Sequence, residues 1–102
     1  MTERYNGWTN YETWCANLWI DQDGEYWREY TQDIVRQKDN DRGDSVYELS
    51  RVMKSFHEEF APATAGMYAD LLNASMSRIN WHEIAEHYVD EVREDSADEV
   101  EE

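Results

Sequence analysis

The sequence predicts an all-α protein: a compact bundle of about five short amphipathic helices, followed by a disordered acidic C-terminal tail. Three observations carry that prediction. Apolar residues recur three or four apart through most of the chain, the spacing that gathers side chains on one face of a helix. Thr9-Asn10-Tyr11-Glu12 and Asn80-Trp81-His82-Glu83 read as capping boxes, in which a polar side chain and a glutamate satisfy the free N–H groups of a helix start. No segment alternates apolar and polar residues over a useful length, as a half-buried strand does. With 102 residues the chain is expected to form one domain, residues 1–93, with 94–102 as the tail.

The stretch Tyr5 to Gly24 seeds the core. It holds Trp8, Trp14 and Trp19 with Tyr5 and Tyr11, and large rings bury more apolar area than most side chains. Met1 to Gly7 shows no periodicity, and Tyr5 is expected to fold back onto these rings. With Thr9 as N-cap and Glu12 reaching back to its N–H, the first helix runs from about Asn10 to Asp21. Its apolar positions 11, 14, 15, 18 and 19 place Trp14 and Leu18 on the core stripe and Trp19 near its edge.

Asp23 is a suitable cap for a second helix, about Gly24 to Lys38, with Tyr26, Trp27, Tyr30, Ile34 and Val35 as its apolar positions. Acids at its start (Glu25, Glu29) and bases at its end (Arg36, Lys38) complement the helix dipole. After a polar loop, Asp44 or Ser45 caps a third helix, about Ser45 to Phe60, with the cleanest stripe in the chain: Val46, Leu49, Val52, Met53, Phe56 and Phe60. Ala61-Pro62 stops it, since proline disfavours helical geometry before it and lacks an N–H. A fourth helix starts at Ala63 or Thr64 and runs to about Ser77, with Tyr68, Leu71, Leu72, Ser75, Met76 and Ile79 on one face. The fifth spans about Trp81 to Arg93. It opens with Ile79 and Ile84 as a hydrophobic staple and faces Trp81, Ile84, Ala85, Tyr88 and Val92 inward.

Two blocks carry a resemblance. Asn10-Tyr11-Glu12-Thr13-Trp14 with Leu18-Trp19-Ile20-Asp21, and later Ile79-Asn80-Trp81-His82-Glu83-Ile84-Ala85, resemble a family of small uncharacterised proteins of phages, plasmids and other mobile elements. The resemblance implies a mobile-element setting and no particular activity.

Charge narrows the function classes. Twenty-four acids against nine bases leave a net charge of −15, and residues 83–102 hold ten of those acids against the single base Arg93. Phosphate binding needs a basic patch, and a field of this sign repels nucleic acid and anionic membranes. No direct nucleic-acid or membrane partner is expected. A basic protein partner is. Solubility or a salt-adapted host would also account for acidity, given two lysines against seven arginines. Cys15 is the single cysteine, so no internal disulfide can form; it reads as a small buried hydrophobe. No apolar run approaches the length of a membrane span, no signal peptide is visible, and a cytoplasmic setting is expected.

Chemical motifs are weak. In His82-Glu83-Ile84-Ala85-Glu86-His87 the histidines are five apart, about 140° around a helix, whereas a zinc pair needs i and i+4. A metal-dependent enzyme would have to rest on His82, Glu86 and His87. Asp39 to Asp44 with Glu48 hints at a calcium loop, but glycine stands fifth and glutamate tenth instead of sixth and twelfth. There is no nucleophile–base constellation. No enzyme activity, metal or cofactor is expected.

The expected function is therefore an acidic interaction protein of a mobile element. In its sharp form, spaced carboxylates imitate a phosphate track and inhibit a host nucleic-acid-binding defence protein of a restriction or CRISPR system. The acidic contacts are Asp21, Asp23, Glu25, Glu29 and Asp33 on the helix 1–2 edge and Glu86, Asp90, Glu91 and Glu94 on helix 5. The alternative is a small accessory or structural protein that dimerises or docks through exposed rings, with Trp8, Trp19 and Trp27 as anchors at stripe edges.

Overall fold

The computed structural model describes residues 4–61 and 66–100, with side chains through 95. The helices are α1 (Tyr11–Ile20), α2 (Gly24–Gln37), α3 (Arg42–Glu59), α4 (Met67–Ser77) and α5 (Trp81–Val100), and a 3₁₀ turn, Asp21–Asp23, joins α1 to α2. The all-α class is as the periodicity requires. Among the described residues the only extended pairing is a single bridge between Tyr5 and Trp8.

That bridge orders a segment expected to be irregular. Tyr5 and Trp8 exchange two backbone hydrogen bonds of 2.8 Å, and Asn6 and Gly7 between them both have positive φ. This is the backbone of a type I′ turn, for which Asn-Gly is the preferred pair. The turn brings Tyr5 back onto Tyr11 and Trp14, at ring separations of 5.1 and 5.0 Å, the fold-back that its position suggests.

The core lies between α2, α3 and α5. It contains Trp27, Ile34 and Val35 of α2, Val46, Leu49 and Met53 of α3, and Trp81, Ile84, Ala85, Tyr88, Val89 and Val92 of α5. These are the inward positions of the expected stripes, with Val89 added. Asp39 and Asn40 turn the chain between α2 and α3 with positive φ, a conformation that short polar side chains tolerate better than most.

Cap positions shift from expectation. Asn10, not Thr9, caps α1: its side chain accepts the Thr13 N–H at 2.9 Å. Asp41, not Asp44 or Ser45, caps α3, accepting the Asp44 N–H at 2.8 Å, so α3 opens at Arg42. Asp23 stands before α2 without a side-chain cap bond. The stop at Pro62 and the start at Ala63 or Thr64 lie outside the described residues; α3 ends at Glu59 and α4 begins at Met67. The α5 backbone is helical to Val100 rather than to Arg93, and the rest of the expected tail, 101–102, lies outside the described residues.

The largest departure is on α1 and α4. α1 buries Thr13 and Ile20 and partly covers Ala16, while Leu18 and Trp19 are exposed. The row facing α5 is thus 13, 16 and 20, not the 11, 14, 18 stripe. The physical reason is size and polarity: Thr13 and Ala16 let the helices approach closely, and the Thr13 hydroxyl is fully hydrogen-bonded in the contact. On α4 no residue is buried. Leu72, Met76 and Ile79 are half-buried, whereas Tyr68 and Leu71 face solvent. At the end of α3, Phe56 and Phe60 are also exposed.

Candidate functional site

The two sequence blocks meet at the N-termini of α1 and α5. Thr13 Oγ1 donates to Asn10 Oδ1 (2.7 Å) and accepts the Asn80 N–H (2.8 Å). Asn10 Nδ2 donates to the Arg78 carbonyl (2.8 Å), and Asn80 Oδ1 accepts the Glu83 N–H (3.1 Å). The reciprocal arm expected from Glu12 to Thr9 is replaced. Glu83 takes the Thr9 N–H at 3.0 Å, and Glu12 pairs with Arg78 at 3.2 Å. Each helix start is therefore capped partly by the other block. Burial opposes ionisation of Glu83, but the Thr9 N–H and hydroxyl and Arg4 outweigh it and hold the carboxyl below the usual range. Glu12 is held low first by its own backbone N–H and then by Arg78.

The acidic residues divide by partner. Asp21 accepts the Tyr88 hydroxyl at 2.5 Å, and burial, then Asp21, push that hydroxyl's pKa up. Asp33 pairs with Arg36, and Glu91 with Arg28 at 3.2 Å. Glu86 and Asp90 share Arg42, at 3.4 and 2.7 Å, and the Arg42 guanidinium holds the Asp90 carboxyl below its usual range. Asp23, Glu25, Glu29 and Glu94 are exposed and have no ion pair among the described residues. Glu25, Glu29 and Asp33 stand four apart on the outer face of α2, about 6 Å between neighbours along the axis.

The three tryptophans separate as well. Trp19 is 70% exposed. Trp8 is half-buried and lies against the His87 ring at 4.3 Å. Trp27 is corrected: at 2% exposure it is a core residue and presents nothing to a partner. It follows the Thr31–Ile34 row into the α2–α3–α5 core, where its ring stacks on His57 at 5.9 Å.

The candidate metal residues are dispersed. His82 lies 3.8 Å from Glu86, the His87 ring packs at a tilt against Trp8, and Glu83 is engaged by Thr9 and Arg4. Among the described residues no three His, Cys, Asp or Glu side chains stand together to hold a metal ion. In the Asp39–Asp44 loop, Asp41 is committed to its cap and Arg42 to α5.

A groove that sequence reasoning missed runs between α1 and α4. Its volume is about 360 Å³, and Cys15 and Trp19 on one wall face Leu72 and Met76 on the other, over a floor of His57 and Trp81. The signal was present in the outward α1 positions 11, 15 and 19: Trp19 was expected at the stripe edge as an anchor, but Tyr11 and Cys15 read as core because nothing in the sequence says what covers them. His57 Nδ1 donates to the Met53 carbonyl at 2.7 Å, because a carbonyl can only accept. The ring lies between Trp27 and Trp81, stacked on the latter at 5.2 Å.

Fold and surface together define an acidic all-α protein with an open apolar groove. Among the described residues, no helix is long and apolar enough to cross a membrane. The chain belongs to a family of unknown function (DUF7249), whose model matches residues 1–102. That description does not mention phages or plasmids. No curated protein and no solved structure matches the chain.

Proposed function

We propose that this chain is a non-enzymatic interaction protein, made by a mobile element, that binds a basic nucleic-acid-binding protein of the host. The observation that carries the reading is the net charge of −15, together with exposed Asp23 before α2 and Glu25 and Glu29 on its outer side, which have no ion pair among the described residues. Exposed carboxylates in a row attract cationic surfaces and raise encounter rates. A restriction or CRISPR nuclease is the partner of choice, because its DNA channel is a basic surface built to hold spaced anions.

The test is affinity capture from host lysate at low and high salt, with partners identified by mass spectrometry. A basic partner released by salt and competed off by DNA is the expected result, because exposed charge contacts are screened. Combined Asp23→Asn, Glu25→Gln and Glu29→Gln should remove it. Undiminished capture by that variant refutes the reading. A second reading, docking or dimerisation through rings, is favoured by the exposure of Trp19. It predicts association that survives salt and is lost in Trp19→Ala.

A further inference from the structure

We infer that the α1–α4 groove receives the apolar side of a basic amphipathic helix supplied by the partner, an inference that rests on the partner being basic. Size is the first argument. Tyr11 to Trp19 on α1 and Leu72 to Met76 on α4, with Ile79 just past the end of α4, line the groove, and at 1.5 Å per residue the α1 wall is about 12 Å long. That length suits two helical turns, with anchors at i, i+4 and i+7.

Incompleteness is the second. α4 buries none of its residues, and its exposed Tyr68 and Leu71 continue the apolar row of Leu72 and Met76 beyond the groove. α1 does the same with Leu18 and Trp19. Two amphipathic walls and an aromatic floor leave the place of a further helix unfilled.

Charge is the third, and it selects the occupant. A second copy would bring another net −15 against the first, and such self-repulsion disfavours close association. Beyond the Trp19 end of the groove, past Asp21, which is engaged by Tyr88, the chain continues into exposed Asp23 and then Glu25. Asp70 lies exposed in the first turn of α4. Lysines or arginines on the solvent face of an incoming helix would meet these carboxylates while its leucines enter the groove. With Nδ1 of His57 committed to Met53, Nε2 is the ring nitrogen left for a polar group of the occupant.

The probe is a synthetic helical peptide with leucines at i, i+4 and i+7 and lysines elsewhere. It is compared with a scrambled isomer of identical composition and with a glutamate-for-lysine counterpart, by calorimetric titration of the full chain. The patterned basic peptide should bind at least about tenfold more tightly than either control. Trp19→Ala, at an exposed position, and Ser75→Trp, which fills the groove from an exposed position, should each weaken it about tenfold or more with unchanged circular dichroism. Equal binding of the scrambled peptide, lost at high salt, overturns the groove while leaving the basic-partner reading intact. Equal binding of the glutamate peptide overturns the choice of a basic occupant and counts against that reading too. Concentration-dependent dimerisation abolished by Trp19→Ala, with no peptide binding, assigns the groove to a second copy and overturns the inference.

Discussion

Ile84 and Leu71 are both aliphatic residues at the expected inward positions of amphipathic helices, yet Ile84 is fully buried and Leu71 is more than half exposed. The difference separates two regions. On one side α2, α3 and α5 close on one another, and each stripe finds two others. On the other side α1 and α4 lean on that core by their edges and keep apolar faces open. An amphipathic pattern states that a helix has an apolar face; only the number of neighbours decides whether that face becomes core or surface. In this chain the stable region and the region available for binding are built from the same kind of sequence.

Substitutions test that division, starting with the largest effect. Leu49→Ala should cost about 2–5 kcal/mol of unfolding free energy, because it opens a cavity among residues that cannot collapse onto it. Leu71→Ala should change stability by less than about 0.5 kcal/mol. Denaturant titration of both variants measures the gap, and equal losses would mean that α4 is part of the core.

Thr13→Val comes next, at about 1–3 kcal/mol. The shape is kept, but the Asn80 N–H loses its acceptor and Asn10 Oδ1 loses a donor in a partly buried contact. A loss near zero by thermal and chemical denaturation would mean that the junction does not tie α1 to the closed side.

Glu83→Gln should cost less, on the order of 1 kcal/mol at neutral pH. The folded protein holds this carboxyl below its ordinary 4.5. Its contribution is therefore full above the unfolded value and is lost as pH falls through the lower folded one. The stability gap between wild type and variant should be widest at neutral pH and should close in acid, once the pH has fallen below the carboxyl's lowered folded value. Relief of repulsion among the other acids occurs in both proteins and cancels in the difference.

The smallest effect sharpens the picture of the closed side. Ser45 is fully buried in α3, and its hydroxyl has no hydrogen-bond partner among the described residues. Ser45→Ala removes an unpaired polar atom, so stability should stay within about 0.5 kcal/mol or rise.

The helices of the closed side were legible because their periodicity and their neighbours agree. Val46, Leu49 and Met53, or Ile84, Ala85 and Tyr88, occupy the predicted face and are covered there. The face of α1 was not legible. Its larger residues, Tyr11, Trp14 and Leu18, outweigh Thr13 and Ala16 in any hydrophobic reading, but the small residues fit the approach to α5. Cap identity failed for a related reason. Thr9 and Asn10 can both cap, and the choice is settled by Glu83, which claims the Thr9 N–H from far along the chain. Trp27 and Trp19 looked alike at their stripe edges; α2 has helices on both sides of its inner row and α1 does not. Of the candidate contacts, the paired acids Glu86, Asp90 and Glu91 could not be told from the unpaired ones, because Arg42 and Arg28 reach them across helices.

The junction between the two blocks has a consequence for how the protein is made. Thr13 and Asn80 lie 67 positions apart, so the first helix emerges long before the residue that completes its contact. At about 5–20 residues per second, a ribosome takes roughly 3–13 s to supply it. Through that interval Trp8 lacks the His87 ring of α5 against which it comes to lie. Nascent chains arrested before Asn80 should therefore keep Trp8 open to chaperones, and α5 is the helix that covers it.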